Sequence, residues 1–173
     1  MFSSMALAQL AAVAPSSTST DVFVMGGSDL VRPGLLPRVN LNIGVGHSFN
    51  FLNKNPFGNE ITFSYTYENG GTHGFFHTQY GAHTENIGLM KNFNVKAIDK
   101  LTDKKLSFYT WPLIGITSMT GNKTVENRLY LGAAFGEALH FNDHNAIWVQ
   151  QTWNKVLTMP GYPTFSIGYT YNR

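Results

Sequence analysis

From residue 20 onward, apolar and polar residues alternate with a period of two rather than 3.6. The clearest stretch is 39–51, where Val39, Leu41, Ile43, Val45, Phe49 and Phe51 fall on one face and Asn40, Asn42, Gly44, Gly46, Ser48 and Asn50 on the other. Successive side chains of a strand point to opposite faces, so this segment predicts a strand with one apolar side and one small, polar side. Residues 61–67 repeat the pattern, with Ile61, Phe63, Tyr65 and Tyr67 against Thr62, Ser64 and Thr66. Residues 128–141 set Leu129, Leu131, Ala133, Phe135, Leu139 and Phe141 against Arg128, Tyr130, Gly132, Ala134, Gly136 and His140. Near the end, Phe165, Ile167, Tyr169 and Tyr171 alternate with Thr164, Ser166, Gly168 and Thr170. Weaker alternation covers 21–27, 73–94, 105–119 and 146–155, which brings the total to about eight strands.

The connections fit an all-β chain. Residues 53–59, 68–72 and 142–145 are rich in Asn, Gly and Asp and predict compact turns. Longer polar or Pro-containing connections are expected at 30–38, 121–126 and 157–163, and 95–104 is polar and Lys-rich. No segment reads as a crossover helix, so the pattern predicts a single antiparallel up-and-down β-barrel rather than a parallel sheet.

Alternation alone does not say which face points inward. In a soluble sandwich or ligand-binding barrel the apolar face is the core, whereas in a transmembrane barrel it meets lipid. Three features favour the membrane. Only 13% of residues are charged, against about a quarter in ordinary soluble domains. The polar faces are also small, as at Gly44, Gly46 and Ser48 or Gly132, Ala134 and Gly136, which suits the narrow interior of a small barrel. Aromatic residues gather near strand ends, among them Phe49, Phe51, Tyr65, Tyr67, Trp148, Trp153, Tyr169 and Tyr171, where interfacial girdles sit.

With this alternation over 21–171 and its terminal aromatics, the chain resembles the small eight-stranded bacterial outer-membrane barrels, a group with adhesin-like, opacity-type and lipid-modifying members. The resemblance implies a transmembrane barrel in the bacterial outer membrane, with membrane lipid and other envelope proteins as partners. Members usually end on Phe or Trp; here Tyr171 is followed by Asn172 and Arg173.

The remaining composition narrows the classes further. At 173 residues the chain suits one domain, and with no cysteine it has neither disulfides nor thiolate metal sites. A formal charge of +2 without a Lys/Arg cluster gives no nucleic-acid footprint. No apolar run reaches the roughly 18 residues of a membrane-spanning helix. Residues 1–20 read as a signal-peptide remnant, with Ala6-Leu7-Ala8 before Gln9 as the cleavage pattern, or as a flexible N-terminal segment. Residues 21–173 then form the barrel.

Candidate chemistry is sparse. His73, His77, Gln79, His83 and Glu85 share one strand parity, whereas the apolar Ile87, Leu89 and Phe93 carry that same parity further on. A bulge near 84–86 would reconcile the two and send His77, Gln79, His83 and Glu85 into the interior with Arg128. There they would form a hydrogen-bonded plug, or His77, His83 and Glu85 could ligate a metal. The spacing of His77 and His83, roughly 20 Å along a strand, argues against one shared ion. His47, Ser48 and Glu60 are the residue types of a lipid A deacylase, but adjacent strand residues face opposite ways, which separates His47 from Ser48. Glu137 interrupts the apolar face of its strand and marks a point of protein contact or a register change. The sequence implies no cofactor. It points to a structural or interaction role in the envelope, with a lipid-modifying enzyme or a soluble lipocalin-like barrel as the alternatives.

Overall fold

A computed structural model describes residues 10–11, 19–28, 39–52, 55–69, 81–95, 98, 101–103, 105–121 and 124–173. Its strands are β1 (Leu10–Ala11), β2 (Thr20–Ser28), β3 (Val39–Ser48), β4 (Glu60–Asn69), β5 (Gly81–Val95), β6 (Leu106–Gly121), β7 (Thr124–Asn142), β8 (Asn145–Val156) and β9 (Tyr162–Asn172). Consecutive strands from β2 to β9 pair antiparallel, and β2 pairs with β9, which closes an up-and-down barrel of eight strands. The short β1 adds to β5 beside Asn94 and Val95. Closure leaves the barrel strands without an open edge.

The facing of the strands follows the alternation. In β2 the pattern is strict, with Asp21, Phe23 and Met25 buried and Val22 and Val24 exposed. In β8 the residues from Ala146 to Val156 alternate in the same way. Apolar side chains thus point outward and the small polar face points inward, so a lipocalin-like barrel with its apolar face inside is not what forms.

The interior is packed rather than open. Phe23 meets Trp111 edge-on at 5.3 Å between ring centroids and stacks on Trp148 at 5.7 Å. Trp111 Nε1 donates to Thr62 Oγ1 at 2.7 Å, and the Tyr109 hydroxyl donates to Gln150 Oε1 at 2.9 Å. Tyr130 donates to Asn154, and Tyr162 spans to Glu68 at 3.0 Å. Small inner residues on one strand admit these large ones from another. A Cβ on Gly44 would lie 2.4 Å from the Phe23 ring, and one on Gly88 would lie 2.0 Å from Trp111 Nε1. An eight-stranded barrel has an interior just wide enough for such side chains.

Two connections differ from expectation. The long polar link expected over 121–126 is a tight hairpin, since β6 runs to Gly121 and β7 starts at Thr124. Strand pairing through Thr120 and Val125 outweighs the local polarity there. Strand 39–51 is also shorter than expected. After Ser48 the chain turns through one 3-10 segment, Asn50–Leu52, with Leu52 N donating to Phe49 O at 3.0 Å. The turn at 142–145 is as compact as its sequence suggests, because Asn142 Oδ1 accepts from His144 N at 2.9 Å.

Candidate functional site

With the interior filled, the outer wall is the surface that can meet other molecules. Direct pairing aligns its side chains in rows across five strands. One row runs Val22, Val45, Phe63, Ile87 and Ile114; the next runs Val24, Ile43, Tyr65, Glu85 and Ile116. Between them lie Phe23, Gly44, Ser64, Asn86 and Gly115, whose side-chain positions turn inward and leave backbone as the floor. The result is a furrow of about 890 Å³, with Tyr169 and Tyr171 at its β9 end.

The wall carries few charges. Lys91 reaches to Asn55 O at 3.0 Å, and Lys155 bonds to Met159 O, so both ammonium groups are drawn toward loops at the barrel ends. Glu85 and Glu137 are exposed among apolar neighbours. Glu137 is paired with Phe108 on β6 and Val149 on β8, and Phe108 stacks on Phe135 at 6.4 Å and on Phe93 at 6.0 Å. The β7–β8 register is continuous from Tyr130 to His140, so no bulge turns Glu137 away from the wall.

The interior holds one concentrated polar feature that sequence reasoning missed. Asp21 on β2 and Glu60 on β4 flank β3 at the end of the barrel that carries the chain termini, and their side chains come together over Gly46. They are 8% and 1% exposed, and Asp21 Oδ1 and Glu60 Oε1 have no hydrogen-bond partner among the described residues. Gly46 makes room for the contact, since a Cβ there would lie 2.0 Å from Glu60 Oε1. The signal was the inward parity of both acids around a glycine, but it needs the register across β3 to be read.

The residues singled out from sequence are distributed as follows. His77 and Gln79 lie outside the described residues. The expected interior placement of His83 and Glu85 is corrected. The β4–β5 register is unbroken from Gly81 to Met90, so the bulge at 84–86 is absent and the even residues Ala82, Thr84, Asn86 and Met90 are the buried ones. His83 stands half-buried on the outer face, where its Nδ1 bonds to the Tyr65 hydroxyl and its ring lies 5.1 Å from Tyr67. This is a girdle contact rather than a plug or a ligand set. No group of three or more His, Asp or Glu among the described residues could hold a metal ion. Arg128 has the inward parity, but it lies near the mouth opposite the termini, paired with Glu126 and donating to Thr158 Oγ1 at 2.6 Å.

His47, Ser48 and Glu60 divide between the two faces. Ser48 is the ladder partner of Glu60, and both are buried inside. The His47 Nδ1 bonds to Thr20 Oγ1 at 2.9 Å, with its ring 4.6 Å from Phe49. Ser48 Oγ instead contacts Ser19 Oγ at 3.4 Å. The imidazole is therefore bonded to Thr20, not to the hydroxyl it would have to activate.

No protein-family model matches the sequence, and no curated protein matches it. Solved structures do match in shape. Neisserial surface protein A aligns with a TM-score of 0.64 at 12% identity, covering 89% of this chain and 96% of that one. The attachment invasion locus protein Ail of Yersinia pestis aligns at 0.56 and 13% identity, over 92% of this chain and 100% of its own. The N-terminal β-barrel domain of Pseudomonas aeruginosa OprF aligns at 0.52 and 10% identity, over 90% and 97%. The closed sheet, the outward apolar face and these likenesses agree: the chain has the fold of the small eight-stranded outer-membrane β-barrels.

Proposed function

We propose that the protein resides in the bacterial outer membrane as a structural or interaction component of the cell envelope, acting through its wall and loops. The observation that carries this reading is the packed interior. Phe23, Tyr109, Trp111 and Trp148 fill the barrel, each 4% exposed or less. A barrel closed in this way gives no aqueous path of porin type. What is left for function is the outside, and there Glu137 supports contact with a protein. A carboxylate at mid-depth in lipid costs roughly 2–4 kcal/mol or somewhat less, and a polar or cationic group on a partner offsets that cost. The lipid-modifying alternative gains no support from the geometry, because His47 and Ser48 lie on different faces of the wall.

The test is site-specific photo-crosslinking in living cells with the photoreactive residue at position 137. The reading expects a discrete crosslink to another envelope protein, absent when the same group replaces Ile43 elsewhere on the wall. Crosslinks to lipid alone at position 137 would contradict it.

A further inference from the structure

The outward face of β6, β7 and β8 carries three polar side chains, Thr110, Glu137 and Gln151, all of them exposed. Among the described residues no side chain engages any of the three. Register fixes where they stand. The ladder that leaves β5 at Phe93 passes Phe108, Glu137, Val149 and Ile167, then Gly26, Leu41 and Tyr67, and returns to β5 at His83. One circuit thus climbs ten residues along β5, from 93 to 83, toward the mouth opposite the termini. In an eight-stranded barrel that stagger tilts the strands by about 40° from the axis.

With that tilt, residues one strand over and two positions nearer the mouth stack along the membrane normal. Phe108, Phe135 and Trp153 form such a column, and the first two rings stack at 6.4 Å. Beside it, about 4 Å away on one flank, stand Glu137 and Gln151, and about 4 Å away on the other stand Thr110 and Ala133. Glu137 and Thr110 lie within about 2 Å of the same depth, as do Gln151 and Ala133. The face is therefore its own complement. A two-fold axis along the normal keeps both copies in one orientation and sets each residue against one at its own depth. With the axis on the aromatic column, Phe135 meets its symmetry mate and the Thr110 hydroxyl donates to the partner's Glu137, a contact that forms twice. Gln151 lies over the partner's Ala133, whose small side chain leaves it room, and as a diagonal neighbour of Glu137 it reaches the same carboxylate. Hydrocarbon offers these groups no hydrogen bond.

We propose that the protein pairs with a second copy of itself through β6, β7 and β8, about a two-fold axis that runs along Phe108 and Phe135. The inference rests on the reading that Glu137 meets a protein, and it names that protein.

The experiment is disulfide trapping in outer-membrane fractions with copper phenanthroline, which is clean because the chain has no cysteine. Each variant is first shown to be heat-modifiable, and two on-axis positions are used. Phe135→Cys and Phe108→Cys are each expected to give a covalent dimer, whereas Ile43→Cys on the far wall gives monomer. Thr110→Cys alone and Glu137→Cys alone give monomer, since each stands off the axis, but co-expressed they give the mixed dimer. Adding Glu137→Leu to Phe135→Cys lowers the dimer yield by about eightfold, for two hydrogen bonds of ordinary strength between membrane-embedded side chains. Monomer at both on-axis positions, dimer from Ile43→Cys as readily as from Phe135→Cys, or a yield that Glu137→Leu leaves unchanged would each overturn the proposal. Monomer on the axis together with a photo-crosslink from position 137 to a protein of another mass would overturn the pairing alone and leave the protein contact standing. Monomer on the axis with lipid crosslinks alone at 137 would overturn both.

Discussion

At the scale of single residues, the inner and outer glycines separate two kinds of constraint. Gly88 faces inward and its missing Cβ is the space that Trp111 Nε1 occupies, whereas a Cβ on Gly26 would meet nothing within 4 Å. Gly88→Val is therefore expected to displace Trp111 and break its bond to Thr62. That should cost about 1–3 kcal/mol by overpacking alone, with a lower unfolding midpoint in urea titrations of the reconstituted barrel. Gly26→Ala should leave the midpoint unchanged or raise it slightly. The buried acids give a second residue-scale prediction. Asp21 and Glu60 stand together with no cation among the described residues, so Glu60→Gln removes one of two buried acids and supplies an amide donor to Asp21. The expected outcome is a higher unfolding midpoint than that of the natural sequence at neutral pH; a lower midpoint would mean that a cation is held there and lost.

At the scale of elements, what matters is which way each strand faces. Most of this was legible in the sequence. Strands β3 and β9 alternate cleanly because their outward residues are mostly apolar and their inward residues small and polar, and β7 alternates too, apart from Glu137 outside and the large Arg128, Tyr130 and His140 inside. Strand β5 was not legible. Its outward row begins with His83 and Glu85 and only then becomes Ile87, Leu89 and Phe93, so polarity suggested a change of face where there is none. The reason is depth: the first outward residues of β5 stand in the aromatic girdle, where polar side chains are tolerated, and sequence carries no direct record of depth. The short connection between β6 and β7 was hidden because their pairing runs on to Gly121 and Thr124 through a polar stretch of sequence. The Asp21–Glu60 contact spans three strands and appears only once the register is known.

The facing of β5 is directly testable. Single cysteines at positions 83, 85 and 87 should react with a lipid-soluble maleimide in bilayers, and those at 84 and 86 should not. Reactivity at 84 and 86 with protection at 85 would restore the inward placement. In the same strand, Ile87→Arg is expected to cost about 2–4 kcal/mol in bilayers, because Ile87 stands on the apolar wall.

At the scale of the whole molecule, the inside and outside of the barrel have exchanged the roles usual in soluble proteins. The interior carries polar side chains that accept hydrogen bonds, Thr62 from Trp111, Asn86 from Ser64, Gln150 from Tyr109 and Asn154 from Tyr130, and the apolar residues that would ordinarily form a core cover the exterior. Val39, Leu41, Ile43, Phe63, Ile114, Leu131, Phe135 and Ile167 are all exposed on the described surface. Such a wall is stable only against hydrocarbon, since contiguous apolar area of this extent in water drives association. Closure of β2 on β9 supplies the other requirement, a backbone with its hydrogen bonds satisfied inside the bilayer.

The measurement that bears most directly on this account is electrophoretic mobility of the membrane-extracted protein with and without boiling, after fractionation of the expressing cells. A closed barrel inserted in lipid should be recovered with outer membranes and should run as a compact band when unheated that shifts on boiling. Recovery as a soluble protein that needs no detergent, with a single mobility in both lanes, would contradict the outward placement of the apolar face on every strand.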